Sequence, residues 1–473
     1  MVKSVDEKRK INIMKLSKAK ALEKTSSFAF FYSFLVSIIR ALIVTKKPDN
    51  LYERNEANNM EKKLTIKDYL KSLGPGAIMA AAIIGPGTVT TASTQGANYG
   101  YESLWLILLA CVIAYFFQEP GARIALGCKT DVMTGIRSHL GKGWAVFLYI
   151  VVLVGSLAFQ AGNLSGASMA LEYLIPGTSN LFWAVAVSVF ALIIVLLKKY
   201  NIIENVNQVL ILLMVAAFVI TALTCKADVG SLVTEGFSFK IPGGNATLAL
   251  SLLATTVTPN LVLGYSSFLK KKYGENTTED VTTLIKTNKF GLGFNMVVTF
   301  LITGSIIICS GTLLHPQGIQ ITSAGEMAQQ LVPLLGRFAG VFFSFGLFAA
   351  AFSSVIYQIS LHSMLLPKAF GLSEDDSAKH NVAITLIVFI VPVILVALIG
   401  GSPTQLIIAA QALNGVALPL VFILCWVLCN QKEFMGEYKN NLRQNIIFGI
   451  VTLLTLMFSL NTIINSVLPK IFG

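Results

Sequence analysis

Apolar stretches of about 20 residues recur along most of this chain, and each is long enough to cross a hydrocarbon layer about 30 Å thick. Of the 473 residues, 54% are hydrophobic and 13% are charged, whereas soluble globular chains carry about 25% charged residues. So few charged residues cannot cover a water-facing surface. The chain is therefore predicted to be an all-α integral membrane protein, because helices satisfy their backbone polar groups without water.

Eleven apolar spans follow Met60, and all are predicted to be helices. In chain order they cover residues about 73–97, 102–127, 144–174, 181–197, 206–224, 246–269, 290–313, 333–366, 382–400, 404–429 and 445–468.

Basic residues are distributed unevenly among the loops that connect these spans. The loops after spans 2, 4, 6, 8 and 10 hold fifteen Lys and Arg residues, whereas those after spans 1, 3, 5, 7 and 9 hold only Lys226, Lys240 and Arg337. Because positive loops stay in the cytoplasm, the N-terminal side of the eleven-span core is predicted to be cytoplasmic. The net charge of +12 belongs to these loops, so we expect a multi-pass cell-membrane protein and no nucleic-acid partner.

Residues 1–59 form an extension ahead of this core, with an apolar segment at 27–45 that Arg40 interrupts. If this segment crossed the bilayer, the eight basic residues among residues 1–26 would lie outside, against the positive-inside rule. Three interpretations remain open. The segment is an interfacial helix, an additional span, or translated sequence upstream of a start at Met60.

Two spans contain helix breakers near their centres. Span 1 carries Gly85-Pro86-Gly87-Thr88, and span 6 carries Thr258-Pro259-Asn260. Proline removes a backbone donor and clashes with the preceding turn, and glycine lowers the cost of unwinding. Backbone groups freed in this way are tolerated at membrane depth only where they face protein or a cavity. A simple kink in a packed helix is the alternative for either proline alone.

The two breaks are five spans apart, as expected for two inverted five-helix repeats at about 72–225 and 245–430, followed by an eleventh helix at about 445–468. Paired broken helices indicate a mid-membrane substrate site in secondary transporters. The sequence thus predicts a transporter domain over residues 60–473.

At these breaks the sequence resembles the Nramp family of divalent-metal transporters, which has a LeuT-type fold. The similarity covers most of residues 72–430, including QGANYGYESLWLILLACVIAYFFQEPGAR after the first break, GLFAAAFSSVIYQISLHSMLL in span 8, and QALNGVALPL in span 10. The resemblance implies a substrate site at the two breaks and at the glutamine of span 10. Because both breaks expose backbone groups that need partners, the sequence predicts that six residues converge on one polar cavity near mid-membrane: Gly85, Thr88, Thr255, Thr258, Asn260 and Gln411.

This chain differs from the family at the residues that carry its chemistry. The family reads Asp-Pro-Gly-Asn at Gly85–Thr88 and Met-Pro-His at Thr258–Asn260, so its charged and soft metal ligands are absent here. The family's acidic residues of span 3, tied to proton movement, match Gln160 and Asn163. A metal ion would therefore be held by neutral groups, with Thr88, Thr258 and Asn260 as the candidate ligands.

The substitutions leave two main hypotheses open. In the first, the substrate is a hard divalent cation, Mg²⁺ or Mn²⁺, which keeps most of its water in an oxygen-lined cavity and passes with weak or no proton coupling. The family also has a magnesium-transporting branch with an altered site, which supports this hypothesis. Alternatively, a small anion or organic solute binds at the two half-helix N-termini, whose amides favour negative groups. A receptor-like membrane protein is a third class. No enzymatic constellation or cofactor motif stands out.

Few charged residues lie within the predicted spans. Glu119 and Arg123 are spaced i,i+4 in span 2 and are predicted to form an ion pair. His362, near the cytoplasmic end of span 8, is interpreted as a polar residue between helices.

Overall fold

The computed structural model describes residues 84–464, apart from 198–199, 275–279, 376–377 and 400–401. The predicted extension 1–59, its apolar segment 27–45, the first half of span 1 and the last residues of the eleventh helix lie outside the described residues.

Every regular element among the described residues is helical. The α-helices of five or more residues are α1 (Pro86–Tyr99), α2 (Leu104–Gly127), α3 (Val132–His139), α4 (Lys142–Leu174), α5 (Asn180–Leu197), α6 (Tyr200–Thr224), α7 (Val229–Thr234), α8 (Ala246–Thr256), α9 (Pro259–Tyr273), α10 (Val281–Leu313), α11 (Ala324–Ala328), α12 (Ala339–Phe370), α13 (Lys379–Ile399), α14 (Pro403–Val416), α15 (Leu418–Asn430) and α16 (Leu442–Thr462). Shorter α-helical turns lie at Val332–Leu335 and Lys432–Met435.

Nine helical segments in this part of the chain are long and apolar enough to cross a membrane. They correspond to predicted spans 2, 3 and 5–11. Span 4 is present as α5, whose apolar part, Asn180–Val195, is shorter. Many of the exposed residues on these helices are large and apolar, as lipid-facing positions require. The protein is a multi-pass integral membrane protein.

The predicted break in span 6 is confirmed. Helix α8 ends at Thr256, Thr258 is extended with φ −87° and ψ 143°, and α9 begins at Pro259. Proline at the first helical position is favoured because its missing N–H has no partner there in any case. In span 1 the described part is the second half, α1, which likewise begins at a proline, Pro86.

Span 10, predicted at about 404–429, is present as one membrane-long segment, Pro403–Asn430, with a turn inside it that was not predicted. The helix is interrupted at Ala417, between α14 and α15. Pro419 has no N–H to donate to the carbonyl of Gly415, four residues earlier. That carbonyl accepts instead from the hydroxyl of Ser459 on α16, at 3.3 Å. A neighbouring helix therefore supplies the bond that the proline removes.

The start of span 7 was also misplaced. Helix α10 begins at Val281 rather than at residue 290, because Asp280 caps it through a 2.9 Å bond from the Thr283 amide. Lys286 and Lys289, assigned to a loop from sequence, lie on the first turns of this helix.

Helices α4, α12 and α14 form the most extensive contacts of the bundle, with α12 and α14 both packed against α4. Helix α1 contacts α10, α8, α14 and α4, and α9 contacts α2, α3, α4 and α12. The broken spans are thus surrounded by other helices, so polar groups at the breaks face protein rather than lipid.

Candidate functional site

The site is built on the starts of α1 and α9. Gly85 and Thr258 are the residues that precede these helices, and both have extended or near-extended backbone. Neither side chain caps its helix. The first turns therefore have amide groups that a side-chain cap would otherwise occupy, and the positive end of each helix dipole lies at its break.

A small cavity of ≈ 10 Å³ adjoins the start of α9. This volume is close to that needed for one water molecule. Its lining comprises Phe159, Thr258, Asn260, Leu261, Ser354, Tyr357 and Gln358. Two predicted site residues, Thr258 and Asn260, are therefore brought together, and the facing wall comes from α4 and α12.

Asn260 is the centre of a hydrogen-bonded group that joins three helices. Its side-chain amide donates to Ser156 Oγ on α4 at 2.9 Å and to Gln358 Oε1 on α12 at 3.0 Å. Ser156 in turn donates to Asn260 Oδ1 at 3.1 Å. All three residues are buried, so this group fixes the orientation of the amide beside the cavity.

Gly85 and Gln411 approach the site from other helices. A Cβ atom on Gly85 would lie 2.9 Å from Ser354 Oγ, a residue of the cavity wall. The φ of −100° and ψ of −177° at Gly85 suit any residue, so the backbone does not require glycine there. Gln411 on α14 lies directly against Gly87 and occupies the space of a side chain at that position.

Thr88 and Thr255 are buried near the two breaks, but neither lines the small cavity. The Thr255 hydroxyl donates to the Leu252 carbonyl of its own helix at 2.9 Å. Gln160 and Asn163 lie on α4, where Gln160 donates to the Val355 carbonyl at 3.0 Å and accepts from Asn163 at 3.3 Å. These two amides join α4 to α12.

A larger cavity of ≈ 450 Å³ lies at the end of the bundle that the loop charges assign to the outside. Its lining comprises Thr94, Asn98, Asn245, Thr247, Leu248, Gln320, Ile321, Thr322, Ser402, Thr404, Gln405 and Ile408. These described residues include none with a formal charge. The cavity is therefore a neutral chamber in which amides and hydroxyls alternate with aliphatic side chains.

A row of threonines on α1 runs between the two breaks and this chamber. Thr88, Thr91 and Thr94 are spaced three residues apart and share one helical face. The hydroxyls of Thr91 and Thr94 have no hydrogen-bond partner among the described residues. Thr94 lines the chamber, six residues from Thr88, which is about 9 Å along a helix.

The predicted ion pair of span 2 is confirmed. Arg123 Nη2 lies 3.3 Å from Glu119, and Lys289 of α10 lies 3.1 Å from the other carboxylate oxygen. Arg123 also donates to the Tyr438 carbonyl and to Asn440 Oδ1, both at 2.7 Å. These contacts attach α2 to α10 and to the loop before α16, away from the small cavity.

A second buried carboxylate lies at the predicted cytoplasmic end. Asp131 caps α3 and contacts Lys368 at 3.2 Å and Lys270 at 3.5 Å. Burial alone would raise the pKa of Asp131, but Lys368, hydrogen bonds from Thr134 and Lys270 lower it below its usual value. Asp131 is therefore an ionised carboxylate that links three segments: the start of α3 and the ends of α9 and α12.

Ser156, Ser354, Tyr357 and Gln358 were not among the predicted site residues. They lie on α4 and α12, two unbroken helices whose sequences carry no proline near mid-membrane; Pro367 of α12 lies close to the end of that helix. A polar periodicity in span 8 was the available signal: Ser354 and Gln358 are four residues apart and so share a face. In the part of the chain that the structure describes, no cluster of three or more His, Cys, Asp or Glu residues is arranged to hold a metal ion.

Comparison with known proteins identifies the family. The family profile described as "Natural resistance-associated macrophage protein-like" matches residues 76–465. The chain belongs to the Nramp family.

Two curated Nramp relatives are both named "Divalent metal cation transporter MntH". The relative from Caldanaerobacter subterraneus subsp. tengcongensis is 24% identical over 396 residues, or 83% of this chain and 92% of that protein. The relative from Deinococcus radiodurans is 24% identical over 377 residues, or 78% of this chain and 84% of that protein.

Solved structures show the same fold. A mutant of the Eremococcus coleocola manganese transporter matches with a TM-score of 0.74 and 16% identity, over 88% of this chain and 90% of that chain. The inward-facing conformation of Mhp1 matches with a TM-score of 0.54 and 14% identity, over 82% of this chain and 88% of that chain. The predicted LeuT-type fold of an Nramp transporter is confirmed.

Proposed function

We propose that this Nramp protein is a secondary transporter of a hard divalent cation, Mg²⁺ or Mn²⁺, that passes with weak or no proton coupling. The carrying observation is that both cavities are neutral: no charged residue lies among the described residues that line them, and their polar groups are mainly amides and hydroxyls. The MntH relatives are named as divalent metal cation transporters, which supports a cation as the substrate class.

The size of the outer chamber supports a cation that enters with its water. Six waters of an octahedral Mg²⁺ shell occupy about 180 Å³ at about 30 Å³ each. The chamber of ≈ 450 Å³ has room for such an ion. A carboxylate would normally offset the loss of that water, and the described lining offers amides and hydroxyls instead. Retention of the shell removes most of this cost.

Weak proton coupling is supported by the residues at the expected proton route. Gln160 accepts from Asn163 within α4 and donates to the Val355 carbonyl of α12. Asn260 donates to Gln358, so these three positions are neutral amides with neutral partners. Amides do not titrate near neutral pH, so this route has no group that would change protonation as the carrier cycles.

The test is uptake into proteoliposomes that contain a metal-sensitive dye or a pH-sensitive dye. Mg²⁺, Mn²⁺ and Ca²⁺ are offered in turn, and we expect Mg²⁺ or Mn²⁺ uptake without internal acidification. Asn260→Ala, which removes the bonds to Ser156 and Gln358, should reduce uptake about tenfold or more, since two buried polar groups lose their partner. Thr455→Val is the matched control, because this buried hydroxyl bonds to carbonyls of its own helix, α16, and its loss should leave uptake close to wild type.

A small anion is the second candidate, and the uncapped starts of α1 and α9 favour it. Labelled small anions are therefore included in the same uptake assay. Anion uptake that Asn260→Ala abolishes, with no divalent uptake in the wild type, would replace the cation proposal.

A further inference from the structure

The polar contact between α4 and α12 continues past the small cavity toward the predicted cytoplasmic side. Gln358, which accepts from Asn260, is followed one helical turn later on the same face by His362. Across the contact, Tyr149 lies two turns before Ser156 on α4. The Tyr149 and His362 rings meet edge to face, with centroids 5.9 Å apart. On the predicted cytoplasmic side of the small cavity, α4 and α12 therefore both place polar side chains at their contact.

The polar groups at the far end of this contact have no hydrogen-bond partner in the part of the chain that the structure describes. His362 has an exposed fraction of 0% and Tyr149 of 1%. Neither His362 ring nitrogen has a hydrogen-bond partner among the described residues, and neither do the hydroxyls of Tyr149 and Tyr357. A buried polar group without a partner costs about 1–3 kcal/mol. Tyr149 and His362, which meet, and Tyr357, one turn nearer the cavity, carry this cost among the described residues, whereas apolar residues of similar size would avoid it.

The position of these groups is opposite to that of the outer chamber. His362 lies eight residues before the end of α12 at Phe370, about 12 Å along the helix. Tyr149 is in the first two turns of α4, which begins at Lys142. Tyr357 both lines the small cavity and lies against Gly264 on α9. Tyr357 thus lies at the cavity on the face of α12 toward α9, and His362 lies on the face toward α4, where it meets Tyr149 nearer the predicted cytoplasmic ends of both helices.

We propose that Tyr149, Tyr357 and His362 line the cytoplasmic half of the translocation path and become hydrated when the carrier opens inward. Polar groups that are dry in one conformation gain water partners in another, and a minor conformation is present before substrate binds. Alternating access about a fixed midplane site supplies such a second conformation. This inference rests on the proposed transport function but not on the identity of the ion.

Water access is tested by cysteine substitution. His362→Cys and Tyr149→Cys are each introduced after the six native cysteines are replaced, and inside-out vesicles are treated with the cationic reagent 2-aminoethyl methanethiosulfonate. The control is Phe352→Cys, which is equally buried on α12 but stacked on Phe190 at 5.4 Å and on Phe348 at 5.5 Å. Both test positions should react at least about tenfold faster than the control, because an open state populated at about 0.1–10% exposes them.

A second measurement needs no substitution. Native protein is treated with diethyl pyrocarbonate, and modification of each of its four histidines is followed by mass spectrometry. His362 should be modified under native conditions, although it is fully buried here, after the more exposed His139, His315 and His380.

The outcomes separate this inference from the proposed function. The proposed path is wrong if two results are found together. His362 stays unmodified after the other histidines have reacted, and the His362→Cys and Tyr149→Cys variants react no faster than the control. Labelling at these positions with no Mg²⁺ or Mn²⁺ uptake would overturn the substrate assignment and leave the path supported.

Discussion

Loss of the buried Asp131 carboxylate is expected to lower the stability of the fold. In Asp131→Asn the cap on α3 survives, because Asn and Asp are equivalent N-caps. The pair with Lys270 contributes less than about 1 kcal/mol, since that side chain is 36% exposed. The pair with Lys368 dominates, because both partners are buried. Removing one partner of such a pair costs about 3–5 kcal/mol, and the bond from Lys368 to Ser267 Oγ at 3.1 Å places the expected loss near the lower value.

The assay is thermal unfolding of purified protein in detergent, followed by size-exclusion chromatography of the remaining folded fraction. Asp131→Asn should lower the midpoint by several degrees. Asp228→Asn is the matched control, because Asp228 caps α7 through Gly230 and Ser231 in the same way but is exposed. The double variant Asp131→Asn/Lys368→Met should recover most of the loss, because it removes the stranded ammonium group. A midpoint for Asp131→Asn equal to that of Asp228→Asn would refute the reasoning.

The pH dependence of this effect follows from the lowered pKa of Asp131. A carboxyl whose pKa is lower in the folded state stabilises the fold above its unfolded pKa, about 3.9. That contribution is lost as the pH falls through the folded pKa. The difference between wild type and Asp131→Asn should therefore be constant from about pH 5 to 8 and narrow only below about pH 4.

Three further predictions concern transport. The variant Gly85→Asp/Ser354→Ala should bind Mn²⁺ at least about tenfold more tightly in a titration. Ser354 is shortened in this variant because its Oγ lies 2.9 Å from the new Cβ. Unchanged binding would count against a cation site. Gly87→Ala should displace Gln411 and reduce uptake, and adding Gln411→Ala should then cause little further loss, because the two changes act on one contact. An imposed inward pH gradient should not stimulate uptake, and gradient-driven acidification abolished by Glu119→Gln would instead place a proton pathway in α2.

The sequence predicted the features that backbone chemistry dictates. Pro259 and the charge pattern of the loops are local signals, so the break in span 6 and the succession of spans could be read directly. Glu119 and Arg123 were also predictable, because an i,i+4 spacing places two side chains on one helical face whatever surrounds them.

The remaining features depend on contacts between distant segments. The break at Ala417 was missed because Pro419 follows a long apolar run, and its compensation by Ser459 comes from another helix. The wall of the small cavity was missed for a similar reason. Gln358 becomes a site residue only because Asn260, 98 residues earlier in the chain, donates to it.

The backbone bond that Pro419 removes makes the turn at Ala417 the point where span 10 would bend at least cost. Gln411 lies six residues before it, about 9 Å along α14. A tilt of about 15° at Ala417 would therefore carry the Gln411 amide by about 2 Å, enough to make or release its contact with Gly87. Helix α15 and the helix that carries Ser459 need not move during this step. Occlusion of the substrate from the outer chamber can then be a local bending of one half-helix, while the C-terminal part of the protein remains a fixed support.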